Sequence, residues 1–138
     1  MVDQRLYVTE IDFKRIRNLL GSLKSFSERD IENVRKLDEV LSQAKIVNPH
    51  DIPGDIVTMN STVTILDLET GEKMVYTLVY PEKSDYRRGL ISIIAPIGSA
   101  IFGCKIGNVV EWKIPKGVKK IKIEEIHYQP ETAGNFDI

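Results

Sequence analysis

The sequence has few of the residues that build covalent links and metal sites. It contains one cysteine, Cys104, and two histidines, His50 and His127. A single cysteine excludes an internal disulfide and fits a reducing compartment. Because the first residues are charged and no signal-peptide-like apolar segment follows them, we expect a cytoplasmic protein. Cys104 lies in an apolar run, which predicts a buried core residue rather than a nucleophile.

Metal and nucleotide chemistry have little support. Neither histidine has a second histidine or cysteine at metal-ligand spacing, so a zinc site is not expected. The Gly-x-Lys-x-Gly segment at residues 103–107 lacks the Gly-Lys-Ser/Thr signature of a phosphate-binding loop. We therefore expect no metal and no cofactor.

The chain also lacks an excess of charge of either sign. Among 138 residues it has 19 basic and 20 acidic side chains, for a net charge of −1. General binders of nucleic acid or membrane surfaces need a basic excess. We therefore expect neither sequence-specific DNA binding nor membrane association. The uncharged run at residues 89–104 is interrupted by Pro96, Gly98 and Gly103, so it predicts buried core rather than a membrane span.

Apolar residues at helical spacing predict two amphipathic helices in the first third of the chain. Residues 9–20 begin at a candidate N-cap, Thr9, and have the first-turn acid Asp12 at the capping-box position. They carry an apolar stripe that includes Phe13 and Ile16. Residues 28–46 repeat this pattern. The short connection between them favours an antiparallel hairpin, or short coiled coil, with the stripes face to face. So short a pair should depend on packing against the next domain.

The rest of the chain has the pattern of an antiparallel sheet. After a turn-rich linker, alternation predicts strands over residues 61–68, 74–80, 90–94, 109–114 and 118–126. We expect Pro96 to end the third strand and Ser99 to cap one short helical turn. Lys119, Lys120 and Lys122 suggest a solvated or edge strand. The prediction is an α+β protein with a helical hairpin over residues 1–46, a linker over 47–55 and a sheet domain over 56–138.

The stretch at residues 89–107 carries a family resemblance. Its order is strand, Pro-Ile-Gly, helical turn, Gly-x-Lys-x-Gly-Asn and strand. This stretch resembles the C-terminal domain of the bacterial transcript-cleavage (Gre) factors. That domain has, in the same order, a Ser-Pro-x-Gly/Ala segment, an Ala-Leu-x-Gly turn and a Lys-x-x-Gly-Asp turn. The resemblance implies an FKBP-like fold for this domain. The matching positions are Pro96, Ala100, Gly103, Lys105 and Gly107. We expect Gly103 and Gly107 to serve backbone geometry alone.

Three further segments narrow the resemblance. Residues 55–63, 76–81 and 128–131 are similar to the family of the regulator of nucleoside diphosphate kinase (Rnk), Gre-related proteins with a shortened hairpin. The resemblance implies binding to RNA polymerase at the rim of its secondary channel. We expect the protein to be a monomer. The candidate polymerase-binding residues that it implies are Ile94, Ala95, Pro96 and Ile97.

In Gre factors, acidic residues at the hairpin tip help to hold a catalytic magnesium ion. The corresponding tip here has Glu28 and Asp30, but Lys24 and Arg29 dilute their charge. Both acids also suit the first turn of a helix, with Asp30 completing a capping box with Ser27. We therefore interpret them as structural.

Four hypotheses follow. We favour a non-catalytic regulator that competes with Gre factors. The second is an active cleavage factor that uses Glu28 and Asp30. The third is an FKBP-like prolyl isomerase, and the fourth is direct control of nucleoside diphosphate kinase, for which the sequence shows no docking surface. An isomerase would need an aromatic pocket, with Tyr76, Tyr80, Phe102, Trp112 and Tyr128 as candidates.

Overall fold

A computed structural model describes residues 7–22, 28–114 and 116–134 of the chain. Within these ranges it has the mixed α+β architecture that the sequence predicts. No helix in them is long and apolar enough to cross a membrane. The helices are Glu10–Ser22 (α1), Glu28–Gln43 (α2) and Pro96–Ile101 (α3). The strands are Tyr7–Thr9 (β1), Lys45–Val47 (β2), Thr62–Asp67 (β3), Lys73–Val79 (β4), Leu90–Ser92 (β5), Val109–Ile114 (β6) and Gly117–Tyr128 (β7).

Both predicted N-terminal helices are present. Thr9 caps α1 as expected, because its Oγ1 accepts the backbone N–H of Asp12 at 3.1 Å. Arg17 of α1 forms an ion pair with Asp38 of α2, so the two helices are in contact. The connection at residues 23–27 lies outside the described residues, and the antiparallel coiled coil stays a prediction.

Two short strands flank the helices and were missed by the sequence patterns. β1 and β2 pair in parallel, with Tyr7 opposite Lys45 and Thr9 opposite Val47. Each strand has three residues, which is too short for alternation to be recognised. Because β2 starts at Lys45, α2 ends at Gln43, before the predicted end at residue 46.

The main sheet has five strands in the order β5-β4-β3-β7-β6. Three of its four pairings are antiparallel, but β4 and β5 are parallel, so the prediction of a wholly antiparallel sheet is wrong at β5. The reason lies between these strands. Two turns of 3₁₀ helix, Pro81–Lys83 and Tyr86–Arg88, return the chain so that Leu90 enters beside Thr77 in the same direction.

The lysines of β7 were expected at a solvated or an edge position, and the edge alternative is wrong. β7 is an interior strand between β3 and β6. Side chains alternate between the faces of a strand, so Lys119 points to the same face as the buried Ile121. There its Nζ lies 2.8 Å from Oδ2 of Asp67, which is 1% exposed. This hydrogen bond holds the pKa of the Asp67 carboxyl below its usual value.

One apolar core joins the N-terminal helices to the sheet. Ile16 of α1 and Leu37 of α2 belong to the same buried cluster as Phe102, which directly follows α3. The N-terminal helices therefore depend on the sheet domain for burial of their apolar stripes, as their short length predicts. Cys104 is a buried member of this cluster, and burial raises the pKa of its thiol to about 12.

Candidate functional site

The segment at residues 93–97 forms a tight turn between β5 and α3. The backbone N–H of Ile94 donates to Ser92 Oγ at 3.2 Å, and that of Ala95 donates to the Ser92 carbonyl at 3.0 Å. The sequence predicted that Pro96 ends the third strand of the sheet. In the structure Pro96 is instead the first residue of α3. A proline suits this position because its fixed φ is helical and its missing N–H would have no partner there.

Ser99 is also placed differently from the prediction. It lies inside α3, where its Oγ donates to the carbonyls of Ala95 and Pro96 at 3.2 Å each, and it does not cap the helix. The helix begins at Pro96, whose fixed φ suits the first helical position.

The four candidate binding residues divide into two groups. Ile94, Ala95 and Pro96 are partly exposed and lie on the turn. Ile97 is 2% exposed and packs in the core. The turn can therefore present three residues to a partner, while Ile97 anchors it to the protein.

Gly98 fixes α3 against the sheet. A Cβ atom at this position would lie 2.1 Å from the Ser92 carbonyl oxygen, far inside van der Waals contact. Only glycine allows so close an approach of α3 to the backbone at the end of β5. Sequence reasoning missed this role, because a glycine in a short helix gives no local sign of the strand behind it.

The two matched glycines serve backbone geometry, as predicted. Gly103 and Gly107 have φ values of 79° and 95°, which L side chains rarely adopt. The Gly103 N–H donates to the Val57 carbonyl at 2.9 Å, and that of Gly107 donates to Ile123 at 2.8 Å. The matched Lys105 is exposed, and its Nζ lies 3.7 Å from Oδ2 of Asp55.

The candidate hairpin tip is described only in part. Lys24 lies outside the described residues. Glu28 and Asp30 start α2, but their side chains are not among those described, so the geometry of these acids stays a prediction. Across the described residues, no group of three or more histidine, cysteine and acidic side chains could hold a metal ion.

A buried polar cluster lies where the start of α1 meets the sheet domain. We call it the α1 joint and define it as Asp12, Thr58, Met59, Ser61 and Glu131. The backbone N–H of Met59 donates to Oδ2 of Asp12 at 3.2 Å. The Thr58 hydroxyl donates to Oε1 of Glu131 at 2.7 Å, and the Thr58 N–H donates to Ser61 Oγ at 3.0 Å. The joint thus connects α1, the turn before β3 and the segment after β7.

Burial dominates the electrostatics of the joint. Asp12 is 3% exposed, and burial, with a smaller contribution from the nearby charge of Glu131, raises its pKa from 3.8 to about 7. The Met59 N–H and the charge of Arg15 oppose this shift. Burial, followed by the charge of Asp12, also raises the pKa of Tyr80. The sequence marked Asp12 only as a first-turn acid, since its partner lies far away in the chain.

The five aromatic candidates for an isomerase pocket differ in their burial. Phe102 is fully buried in the core, and Trp112 and Tyr80 pack against that core. A surface cleft of about 200 Å³ includes Tyr128 but is otherwise lined by residues outside this aromatic set. The cleft lies beside His127, Gln129 and Thr132.

Comparison with known proteins identifies the family. Residues 52–128 match the family described as transcription elongation factor, GreA/GreB, C-term. The chain is 35% identical over 132 residues to the regulator of nucleoside diphosphate kinase of Escherichia coli (strain K12), and the match covers 95% of each chain. It is 39% identical over 93 residues to transcription elongation factor GreA of Chloroherpeton thalassium, covering 67% of this chain and 59% of that protein.

Solved structures agree with these matches. The prokaryotic transcription elongation factor GreA/GreB from Nitrosomonas europaea is 35% identical, with a TM-score of 0.76 over 91% of this chain and 100% of that one. GreA factor homolog 1 of Thermus thermophilus, at 21% identity and a TM-score of 0.50, shares the fold. The chain therefore belongs to the family of the regulator of nucleoside diphosphate kinase, and its residues 52–128 belong to the GreA/GreB C-terminal family.

Proposed function

We propose that this protein is a transcription regulator that binds RNA polymerase at the rim of the secondary channel and competes with Gre factors without cleaving transcripts. The observation that carries the proposal is the GreA/GreB C-terminal match over residues 52–128, within a match to the Escherichia coli regulator that covers nearly the whole chain. The protein would act as a cytoplasmic monomer and not as an enzyme.

The proposed contact is the turn between β5 and α3. Ile94, Ala95 and Pro96 are partly exposed there, at the positions where the resemblance to Gre factors implies a polymerase contact. Gly98 packs closely against the end of β5 and Ile97 is buried in the core, so the shape of the turn would be set before binding. A preorganised contact loses less conformational entropy on association. We also propose that the sheet and α3 together form an FKBP-like fold.

The length of the helices supports a regulator that does not cleave. With 16 residues, α2 is about 24 Å long at roughly 1.5 Å per residue. The resemblance implies a hairpin shorter than the coiled coil of Gre factors. Such a pair would occupy the channel entrance and leave Glu28 and Asp30 away from the catalytic metal. Any influence on nucleoside diphosphate kinase would then act through transcription.

Substitution in the proposed contact tests the proposal. Ala95→Glu places a charge on the turn, and we expect its affinity for core RNA polymerase to fall about tenfold, or about 1.4 kcal/mol. Val118→Glu is the matched control, because Val118 is 50% exposed on β7, away from the turn. Equal affinity of both variants and the unmodified protein would contradict the proposed contact. No binding of the unmodified protein would contradict the function.

A further inference from the structure

The α1 joint ties the helices to the sheet by directional contacts. Its turn at residues 58–61 is attached to β4, because the Asn60 N–H donates to the Leu78 carbonyl at 2.6 Å and the Leu78 N–H donates to Ser61 at 3.0 Å. Asn60 has a φ of 66°, so the turn has an unusual, specific backbone shape. By accepting the N–H of Met59 within this turn, Asp12 links α1 to β4.

The segment after β7 holds the same turn from the other side. Glu131 accepts from the Thr58 hydroxyl, and the Gln129 side-chain amide donates to the carbonyls of Pro53 and Ile56 at 2.8 Å each. Thr132 in turn donates to the Gln129 side-chain oxygen. The chain that leads from α2 into the sheet domain is therefore braced by residues that come after the last strand.

These contacts differ in kind from the core beneath them. The apolar contacts of Ile16, Leu37 and Leu41 bury surface but set no angle, since the hydrophobic effect is non-directional. Hydrogen bonds require both distance and direction. A buried N–H that loses its acceptor is costly, so Met59 disfavours any tilt of α1 that removes Asp12.

We infer that Asp12 and Glu131 are positioning residues that fix the direction in which the helical pair projects from the sheet domain. The inference rests on the proposed function, in which α1 and α2 occupy the entrance of the polymerase channel while the turn at Ile94 contacts its rim. A fixed angle allows both contacts to form together.

Spin-label distances in the full-length protein test this inference without polymerase. The labels replace Arg35, exposed on α2, and Val75, 55% exposed on β4, in a Cys104→Ala background. With the joint intact we expect one narrow distance distribution. Asp12→Ala and Glu131→Ala should each at least double its width. Asp12→Asn should keep it narrow, since the amide oxygen can still accept from Met59.

The control is Asp38→Ala, which breaks the ion pair with Arg17 between the helices but leaves the joint untouched. Its distribution should stay narrow. If Asp12→Ala does not fold, Glu131→Ala decides, because Glu131 is only partly buried at the edge of the joint. If both variants fold, narrow distance distributions in Asp12→Ala and Glu131→Ala would overturn the inference. If only Glu131→Ala folds, a narrow distribution in that variant would overturn it.

Polymerase binding separates this inference from the proposed function. If the unmodified protein binds core polymerase, Glu131→Ala should weaken binding about tenfold, whereas Asp38→Ala should not. Unchanged binding of a Glu131→Ala variant with a broadened distribution would contradict a role of the joint in docking. If the unmodified protein does not bind, the proposed function fails, and the distances still decide whether the joint fixes the helices.

Discussion

The Asp12 carboxylate accepts a hydrogen bond from the backbone N–H of Met59, 47 positions along the chain, at 3.2 Å. This contact places a buried acid between the first helix and the turn that leads into the sheet. The hydrogen bond favours the ionised acid, but the loss of water around it disfavours ionisation more strongly. The balance has a measurable consequence for stability.

The free energy of unfolding should fall as pH rises between about 4 and 7. In this window the folded state keeps a proton on Asp12 that the unfolded state has released, because the folded pKa is raised from 3.8 to about 7. For one group the slope is about 1.4 kcal/mol per pH unit. Urea unfolding at a series of pH values, compared between the unmodified protein and Asp12→Asn, isolates this contribution.

Asp12→Asn should remove that slope and make the protein more stable than the unmodified chain above pH 7. Glu111→Gln is a suitable control, because Glu111 is an exposed carboxyl on β6. Its stability profile should follow that of the unmodified protein. Parallel profiles for Asp12→Asn and the unmodified protein would contradict the buried, protonated state of Asp12.

Gly98→Ala should destabilise the protein by about 1–3 kcal/mol or more, because the added methyl group meets the Ser92 carbonyl oxygen. The matched control is Gly21→Ala in α1, where nothing lies within 4 Å of the added Cβ atom. There we expect a gain of about 0.5–1 kcal/mol, since alanine is the better helix former. Thermal unfolding of both variants tests the prediction, which fails if Gly98→Ala is as stable as the unmodified protein.

Lys119→Met should lower the free energy of unfolding at neutral pH, and its difference from the unmodified protein should shrink in acid. Lys119 holds the pKa of Asp67 below 3.8, which gives stability that is present above that pH and is lost as pH falls through the folded pKa. In Lys119→Met this contribution is absent, so the free energy of unfolding of the variant should fall less steeply than that of the unmodified protein as pH drops below 3.8. Urea unfolding at a series of pH values measures this convergence, and a difference that stays constant down to acid pH would contradict the role of the pair.

Cys104 should be unreactive toward thiol reagents in the folded protein. It is buried in the core, and its pKa of about 12 leaves very little thiolate at pH 8. Colorimetric titration should detect one thiol in denaturant and almost none in native buffer. Rapid reaction of the native protein would show that this part of the core opens readily.

Local patterns predicted the features that depend on nearby residues. The stripe through Ile16 predicted α1, Thr9 was identified as its cap, and Gly103 was recognised as a backbone requirement. The parallel pairing of β5 was missed, since it depends on how two 3₁₀ turns redirect the chain.

The candidate site also combines features that the sequence predicts with features that depend on distant parts of the chain. The turn at residues 94–97 was found by resemblance, but burial of Ile97 and the close approach at Gly98 depend on the packing of α3 against the sheet. Asp12 and Glu131 each look like ordinary polar residues in the sequence. Their joint role follows from a meeting of three distant segments that no periodicity encodes.

The most direct test of the central claim is competition with a labelled Gre factor for core RNA polymerase, with transcript cleavage measured on the same complexes. We predict that the unmodified protein displaces the Gre factor and that arrested complexes to which it is bound release no cleaved RNA. Displacement with cleavage that Asp30→Ala abolishes would contradict the non-cleaving account. Failure to displace the Gre factor at any concentration would contradict binding at the secondary channel.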